Sequence, residues 1–171
     1  MEDDTKFNSA YGIKRNLPEL ARDLITFMQV EPLFKYKITI GTDSQKNTEG
    51  KVDFVTAVVI HRIGHGGRYF WRRLNYGKFH TLRDRIIKEV LLSLEFGQKV
   101  LAELRNSLPQ SGPGAENIPG WEFEIHADVG EGGATKSLIQ EVVGMIRAYN
   151  FAPITKPDSY AASNVADRHT H

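Results

Sequence analysis

The chain has 171 residues, of which 40% are hydrophobic, and its formal net charge is +1. This length and apolar content predict one domain built around one hydrophobic core. The sequence contains no cysteine, which excludes disulfides, thiolate metal sites and cysteine nucleophiles. No apolar run approaches the roughly 18 residues of a membrane-spanning helix, and the N-terminal region lacks the pattern of a secretory signal. We therefore expect a soluble, cytoplasmic protein with no membrane partner.

The first predicted element is a helix that begins after Asn16. Asparagine is a favoured N-cap, and Pro18 suits the first turn of a helix. Apolar residues follow at helical spacing and stop before Pro32: Leu20, Leu24, Ile25 and Met28. We assign residues 1–35 to this helix and its lead-in, packed on a domain that covers residues 36–171.

Three segments rich in β-branched and aromatic residues come next, over residues 36–42, 52–60 and 68–74. The connections between them are short, so the three strands should form an antiparallel meander. From Thr81 the apolar residues recur every three or four positions, which predicts a long amphipathic helix that ends near Asn106.

The second half of the chain alternates strands with helices. Residues 106–120 contain three prolines and three glycines and are predicted to form a flexible surface loop. The elements after it are a strand over 121–127, a helix over 134–149, a short strand over 151–155 and a last helix from Ser159. In a mixed sheet of this order, the fourth strand is expected to lie parallel to the first.

Two of the predicted strands end in an aspartate, at Asp43 and Asp128. If these strands are parallel neighbours, their carboxyl ends lie at one edge of the sheet, about 4.8 Å apart. Two carboxylates at that distance repel each other unless a cation lies between them. Magnesium takes oxygen ligands together with water and phosphate, so a divalent metal site is expected here. A single aspartate at a strand end is more often a turn residue or a helix cap.

The element order, with an aspartate on the first and fourth strands, resembles the ribonuclease H-like plan. More closely, the chain resembles the YkuK family of predicted ribonuclease H-like nucleases, through IGTDSQ at 40–45, the acidic end of the fourth strand and SYAAS at 159–163. The resemblance covers residues 36–171. It implies an α/β fold whose five-stranded mixed sheet, with three antiparallel strands and then two parallel to the first, is flanked by helices.

The resemblance also implies a set of metal ligands. Asp43 matches the first-strand aspartate that bridges two metal ions, and Asp128 matches the acid at the end of the fourth strand. Glu89 is the best match to the glutamate of the first crossover helix, because a packed apolar run follows it. Asp84 and Glu95 are the alternatives on the same helix.

The last ligand implied by the resemblance is Asp167 in the C-terminal segment, with Asp158 as its competitor. His169 is a candidate proton shuttle for the catalytic step, because the pKa of histidine lies near neutrality. His126 has the same strand parity as Asp128, so it is either a supporting group behind the ligands or a cross-strand partner.

With these ligands, the implied activity is cleavage of RNA or DNA phosphodiester bonds by a two-metal mechanism that uses Mg²⁺ or Mn²⁺. The alternative is a catalytically inactive adaptor of the same fold that binds nucleic acid or protein. The first strand continues from Asp43 with Ser44 and Gln45, so it lacks the Asp-x-Glu pair of proofreading exonucleases, and that activity is disfavoured.

Basic residues are concentrated between His61 and Val90, where the sequence has eight cations and two anions. Such a stretch could contact a polyanion, or its charges could be solvated or paired within the fold. Lys136 and Arg168 are expected beside the metal ligands, where a nucleic-acid backbone would cross. Nucleic acid is therefore the expected partner, and its type stays open.

Overall fold

The computed structural model describes residues 6–110, 112 and 114–170. The start of the predicted lead-in (residues 1–5), Ser111 and Pro113 of the predicted loop, and His171 lie outside the described residues. Among the described residues, no helix combines the length and the apolar character that crossing a membrane requires.

The described residues form strands, three α-helices and several short helical turns. The strands are β1 (Phe7–Ser9), β2 (Lys14–Arg15), β3 (Tyr36–Lys46), β4 (Val52–Arg62), β5 (Gly67–Tyr76), β6 (Trp121–His126) and β7 (Ala152–Ile154). The α-helices are α1 (Leu17–Val30), α2 (Leu82–Ser107) and α3 (Ile139–Ala148). Shorter 3₁₀ turns cover Ala115–Asn117 and Gly133–Leu138. We call the π-helical turn Ala161–Ala166 and the 3₁₀ turn Asp167–His169 together the C-terminal segment.

All strands belong to one sheet with the order β2-β1-β5-β4-β3-β6-β7. β3, β4 and β5 form the predicted antiparallel meander, β6 pairs parallel with β3, and β7 pairs parallel with β6. The predicted count of five strands is wrong, because the described residues form a seven-stranded sheet. The two additional strands, β1 and β2, form a hairpin on the free edge of β5. With three and two residues, they are too short to show an alternating pattern in the sequence.

Helix α1 begins where its capping residues predict. The side chain of Asn16 accepts a hydrogen bond from the backbone N–H of Glu19, and Glu19 Oε2 accepts one from the N–H of Asn16, both at 2.9 Å. This reciprocal capping box satisfies two donors that the first turn would otherwise leave unpaired. The buried apolar face of α1 then packs into the same core cluster as α2, α3 and the sheet.

The two faces of the sheet are covered differently. Ile38, Ile40 and Val58 belong to the large core cluster that includes the three α-helices. Val55 and Ala57 instead cluster with Ala166 of the C-terminal segment. Because successive side chains of a strand point to opposite faces, the helices cover one face and the C-terminal segment covers the other.

Candidate metal centre

Gly41 fixes the position of the C-terminal segment on β3. A Cβ atom at residue 41 would lie 2.4 Å from the backbone nitrogen of Ala162, so the segment packs directly on the strand backbone. Ala161 and Ala162 are fully buried there. The small residues of the IGTDSQ and SYAAS motifs therefore fit each other, and this contact brings Asp167 towards Asp43.

Asp43 lies on the same face of β3 as Gly41 and is partly buried. Its pKa is raised to about 6, chiefly by burial and also by the nearby charges of Asp128 and Asp167, against the opposing hydrogen bond from the Ser44 backbone. The carboxyls of Asp43 and Asp167 also share a hydrogen bond, which favours a proton on Asp43. Three carboxyls from β3, the end of β6 and the C-terminal segment thus converge.

Glu89 reaches the same region from α2, on the helix side of β3. Its side chain is buried, with 4% of the residue exposed, and Ser44 Oγ donates a 2.5 Å hydrogen bond to its Oε1. The pKa of Glu89 is raised to about 8, chiefly by burial and also by the charges of Asp43 and Asp128, against the opposing hydrogen bond from Ser44. Arg85 on the same helix lowers the pKa of Glu89.

The alternative acids on α2 have other contacts. Asp84 lies in the first turn, where its backbone N–H donates to Thr81 Oγ1, the cap of the helix. Glu95 forms an ion pair with Lys99 at 2.6 Å, and about half of each side chain is exposed. Glu89, by contrast, lies close enough to Asp43 for the charge of Asp43 to raise its pKa.

Asp128 follows β6 and faces Lys156. Lys156 Nζ lies 3.2 Å from Asp128 Oδ1, and 22% of the Asp128 side chain is exposed. No donor in the described part of the chain meets hydrogen-bond geometry with this buried oxygen, so the contact with Lys156 is an ion pair without a well-aligned hydrogen bond. Asp158, the alternative to Asp167, is exposed, and its charge opposes the lowering of the pKa of His126 by burial.

We call Asp43, Glu89, Asp128 and Asp167 the acidic centre. As they stand, no three His, Asp or Glu side chains among the described residues form a group that could hold a metal ion. The contacts give the reason: Glu89 is bonded to Ser44, Asp128 is paired with Lys156, and Asp43 shares a hydrogen bond with Asp167. The donors are nevertheless all carboxylates, which suit Mg²⁺ or Mn²⁺, and their mutual repulsion is what a bound cation relieves.

His169 is stacked on β5. Its ring lies 4.3 Å from the ring of Trp71 at an interplanar angle of 10°, and its carbonyl accepts a hydrogen bond from Arg73. Burial, followed by the charges of Arg73 and Arg168, lowers the pKa of His169. The structure therefore places a neutral imidazole against Trp71, at the end of the 3₁₀ turn that begins with Asp167.

His126 holds the C-terminal segment to the sheet from β6. Its Nδ1 accepts a 3.2 Å hydrogen bond from the backbone N–H of Ala161, which leaves the proton on Nε2, 3.2 Å from Glu124 Oε2. Glu124 in turn pairs with Lys37 at 3.0 Å. His126 thus contacts Glu124 of its own strand, the backbone of Ala161 and, edge to face at 4.7 Å, the ring of Tyr160, in place of the predicted cross-strand partner.

Many cations of the basic stretch have partners within the fold. The guanidinium of Arg72 is buried and lies 3.0 Å from the centroid of the Phe96 ring. Other members of the stretch contact aromatic rings or acids: Arg62 and Arg68 on Phe27, Lys88 on Tyr76, and Arg83 on Glu141. Because these cations have partners within the fold, the positively charged surface is smaller than the charge count of the stretch suggests.

Sequence reasoning missed three residues that shape this centre: Gly41, Ser44 and Lys156. Gly41 and Ser44 lie close to Asp43 in the IGTDSQ motif, so the motif pointed to them. Their roles depend on contacts with other elements and are seen only in the folded structure. Lys156 gave no signal, because its contact with Asp128 depends on where β7 ends relative to β6.

A mixed sheet with this strand order, and with carboxyls brought together from β3, α2, the end of β6 and the C-terminal segment, defines an α/β domain of the ribonuclease H class. The chain belongs to that family, since the family model described as "Ribonuclease H-like" matches residues 19–171. It is 33% identical over 176 residues to "Uncharacterized protein YkuK" of Bacillus subtilis (strain 168), with 99% of each chain covered. The resemblance to the YkuK family is therefore confirmed. No solved structure matches the chain significantly.

Proposed function

We propose that this protein is a divalent-metal-dependent nuclease that cleaves phosphodiester bonds of RNA or DNA. The observation that carries the proposal is the acidic centre, in which burial and neighbouring carboxylates raise the pKa of Asp43 to about 6 and of Glu89 to about 8. Carboxyl groups held together at such a cost are typical of functional sites. The family membership supports the same class of reaction.

The four carboxylates Asp43, Glu89, Asp128 and Asp167 would hold two Mg²⁺ or Mn²⁺ ions. Such ions activate a water and stabilise the leaving oxygen of an in-line displacement. Ser44 holds Glu89 in one orientation through its 2.5 Å hydrogen bond. Asp167 is exposed on a short turn, so it can adjust its position as substrate enters and product leaves.

His169 is proposed to exchange a proton with the reacting groups after it leaves Trp71. Its Nε2 is buried and, within the described residues, has no hydrogen-bond partner. A neutral imidazole with a free nitrogen is able to accept a proton. The stacked position is then a resting position, and the catalytic position requires the last turn of the C-terminal segment to move.

The face of the sheet that carries Asp43 supports nucleic acid as the substrate. Asp43 is level with Val55 on β4, and Val55 is level with Arg73 on β5. Trp71 and Tyr69 lie on the same face of β5 as Arg73, because alternate residues of a strand share a face. Aromatic side chains of this kind stack on unpaired bases, and an arginine contacts phosphate.

A shallow groove continues this face. It has a volume of about 340 Å³ and is lined by Val59, His61, Gly66, Gly67, Arg68, Tyr69 and Tyr160. Tyr69 lies four residues from Arg73 on β5, which is roughly 13 Å along an extended strand. A single strand whose phosphate lies at the acidic centre would therefore extend over Trp71 and place a base between Tyr69 and Tyr160.

The test is a cleavage assay on single-stranded, duplex, hybrid and branched RNA and DNA with Mg²⁺ or Mn²⁺. We expect cleavage of at least one substrate, and loss of more than about 100-fold in rate for Asp43→Asn. Asp84→Asn is the matched control, because Asp84 is an acid in the first turn of α2 whose backbone N–H donates to the cap residue Thr81, outside the acidic centre. If every substrate stays intact with both metals, the nuclease proposal is wrong.

A catalytically inactive adaptor is the second candidate. The ion pair between Asp128 and Lys156 favours it, because this contact already neutralises one of the four carboxylates. An adaptor would bind nucleic acid with an affinity that falls steeply with salt, would not cleave it, and would show no change in Tm on adding Mn²⁺.

A further inference from the structure

Lys156 contacts the surroundings of Asp128 through three of its groups: the backbone N–H, the aliphatic side chain and the ammonium. Its backbone N–H donates a 2.9 Å hydrogen bond to the carbonyl of Val129. Its side chain packs on Gly130, where an added Cβ would lie 2.8 Å from Lys156 Cβ. Its Nζ lies 3.2 Å from Asp128 Oδ1. Gly130 thus leaves space for the lysine stem, and the stem directs the ammonium to the carboxylate.

The contact is less exposed than a typical surface ion pair, with 49% of the Lys156 side chain and 22% of the Asp128 side chain exposed. Lys136 pairs with Glu131 at 3.5 Å, with 67% and 81% of the two side chains exposed. Asp128 is far less exposed, and its charge raises the pKa of both Asp43 and Glu89. A carboxylate in such surroundings needs a neighbouring cation, and in the described structure Lys156 is the cation beside it.

We propose that Lys156 is a placeholder cation. It pairs with Asp128 while no metal is bound, and it contacts the substrate once a metal ion occupies Asp128. Without metal, its ammonium neutralises Asp128. When a divalent ion binds Asp128, Lys156 releases the carboxylate and donates hydrogen bonds to a non-bridging oxygen of the substrate phosphate. This role rests on the proposed function, because it requires that Asp128 is a metal ligand.

The two parts of this role predict changes of opposite sign when the charge is removed. In Lys156→Met the ammonium no longer competes for Asp128 or repels the incoming ion, so Mn²⁺ binds more tightly. The same variant lacks the donor that contacts phosphate, so the KM for substrate rises. A residue that only supports the fold would weaken both, or change neither.

The experiment measures Mn²⁺ affinity of the full chain by electron paramagnetic resonance titration, without substrate. We expect Lys156→Met to bind Mn²⁺ about 5-fold more tightly than the unaltered chain, and Lys156→Arg to stay within about 2-fold of it. Lys99→Met removes an exposed lysine that pairs with Glu95 on α2 and should leave the affinity unchanged. With the substrate of the panel that is cleaved fastest, KM should rise about 10-fold for Lys156→Met and remain unchanged for Lys99→Met.

The possible failures are distinct. If the unaltered chain binds Mn²⁺ and Lys156→Met binds it equally or more weakly, the placeholder role is wrong while the proposed function stands. If the unaltered chain binds no Mn²⁺, the proposed function fails and Lys156 has only the structural ion pair. Lys156→Gln, which keeps a polar side chain of similar length, must bind Mn²⁺ more tightly as well, and a circular dichroism spectrum identifies any variant that has not folded.

Discussion

Glu89 combines deep burial with a single strong hydrogen bond from Ser44. Its pKa is about 8 in the folded chain, against an ordinary value of 4.5. The folded state therefore resists ionisation of Glu89, so stability is greatest below pH 4.5 for this group and is lost as the pH rises through about 8. Replacing the carboxyl by an uncharged amide removes this pH-dependent loss.

We expect Glu89→Gln to gain stability relative to the unaltered chain as the pH rises. The difference in unfolding free energy should shift by roughly 2–4 kcal/mol between about pH 4.5 and about pH 8 in EDTA. Urea denaturation at both pH values measures it. Glu95→Gln, on the exposed side of the same helix, is the control, and an equal shift in that variant would contradict the assignment to Glu89.

Two carboxyls should set the pH dependence of metal binding. The proton on Glu89 competes with the metal below about pH 8, and the proton on Asp43 competes as well below about pH 6. Mn²⁺ affinity is therefore expected to fall roughly tenfold per pH unit between about pH 8 and pH 6, and more steeply below about pH 6. Titrations between about pH 5 and pH 8 test this, and a slope that does not steepen below about pH 6 would count against Asp43 as a ligand.

At the level of elements, the C-terminal segment depends on the missing side chain of Gly41. Gly41→Ala would force the backbone of Ala162 away from β3, because the new Cβ has only 2.4 Å to the Ala162 nitrogen. We expect a loss of roughly 1–3 kcal/mol in unfolding free energy, together with loss of cleavage although no acid has changed. Gly77→Ala is the matched control, since a Cβ there meets nothing within 4 Å. Normal cleavage by Gly41→Ala would show that the seating of the segment is irrelevant.

The elements differ in how far the sequence predicts them. The capping box of α1, the long α2 and the meander follow from local patterns, and all three are present. The C-terminal helix was expected from Ser159, but the chain forms a π-helical turn and then a 3₁₀ turn over Ala161–His169. Ala161 and Ala162 of the π-helical turn pack directly on Gly41, and tertiary packing of this kind is not visible in local periodicity.

The acidic centre shows the same division. Asp43 and Asp128 were predicted as strand-end acids, because two parallel strands end at one edge. Glu89 could only be ranked above Asp84 and Glu95, since helix spacing does not say which turn meets β3. The restraint of these acids by Ser44 and Lys156 could not be predicted, because both contacts depend on how separate elements pack.

For the molecule as a whole, the face that carries Asp43 is expected to bind a nucleic-acid strand. Tyr69→Ala should weaken binding of single-stranded RNA or DNA by about 5-fold to 50-fold, because one base loses its stacking partner. Fluorescence anisotropy in EDTA measures binding without cleavage. Tyr11→Ala, which alters a tyrosine that is 82% exposed on the N-terminal hairpin, is the control. Equal effects of the two substitutions would exclude the β5 face as the specific binding surface.

The stack of His169 on Trp71 also gives the molecule an optical probe of its own. The chain has two tryptophans, and Trp121 lies at the start of β6, so Trp121→Phe leaves a single indole at the C-terminal segment. The emission of that indole depends on whether the imidazole covers it at 4.3 Å or solvent does. Stopped-flow fluorescence of this variant can therefore follow the release of His169 in real time, without any label on protein or substrate.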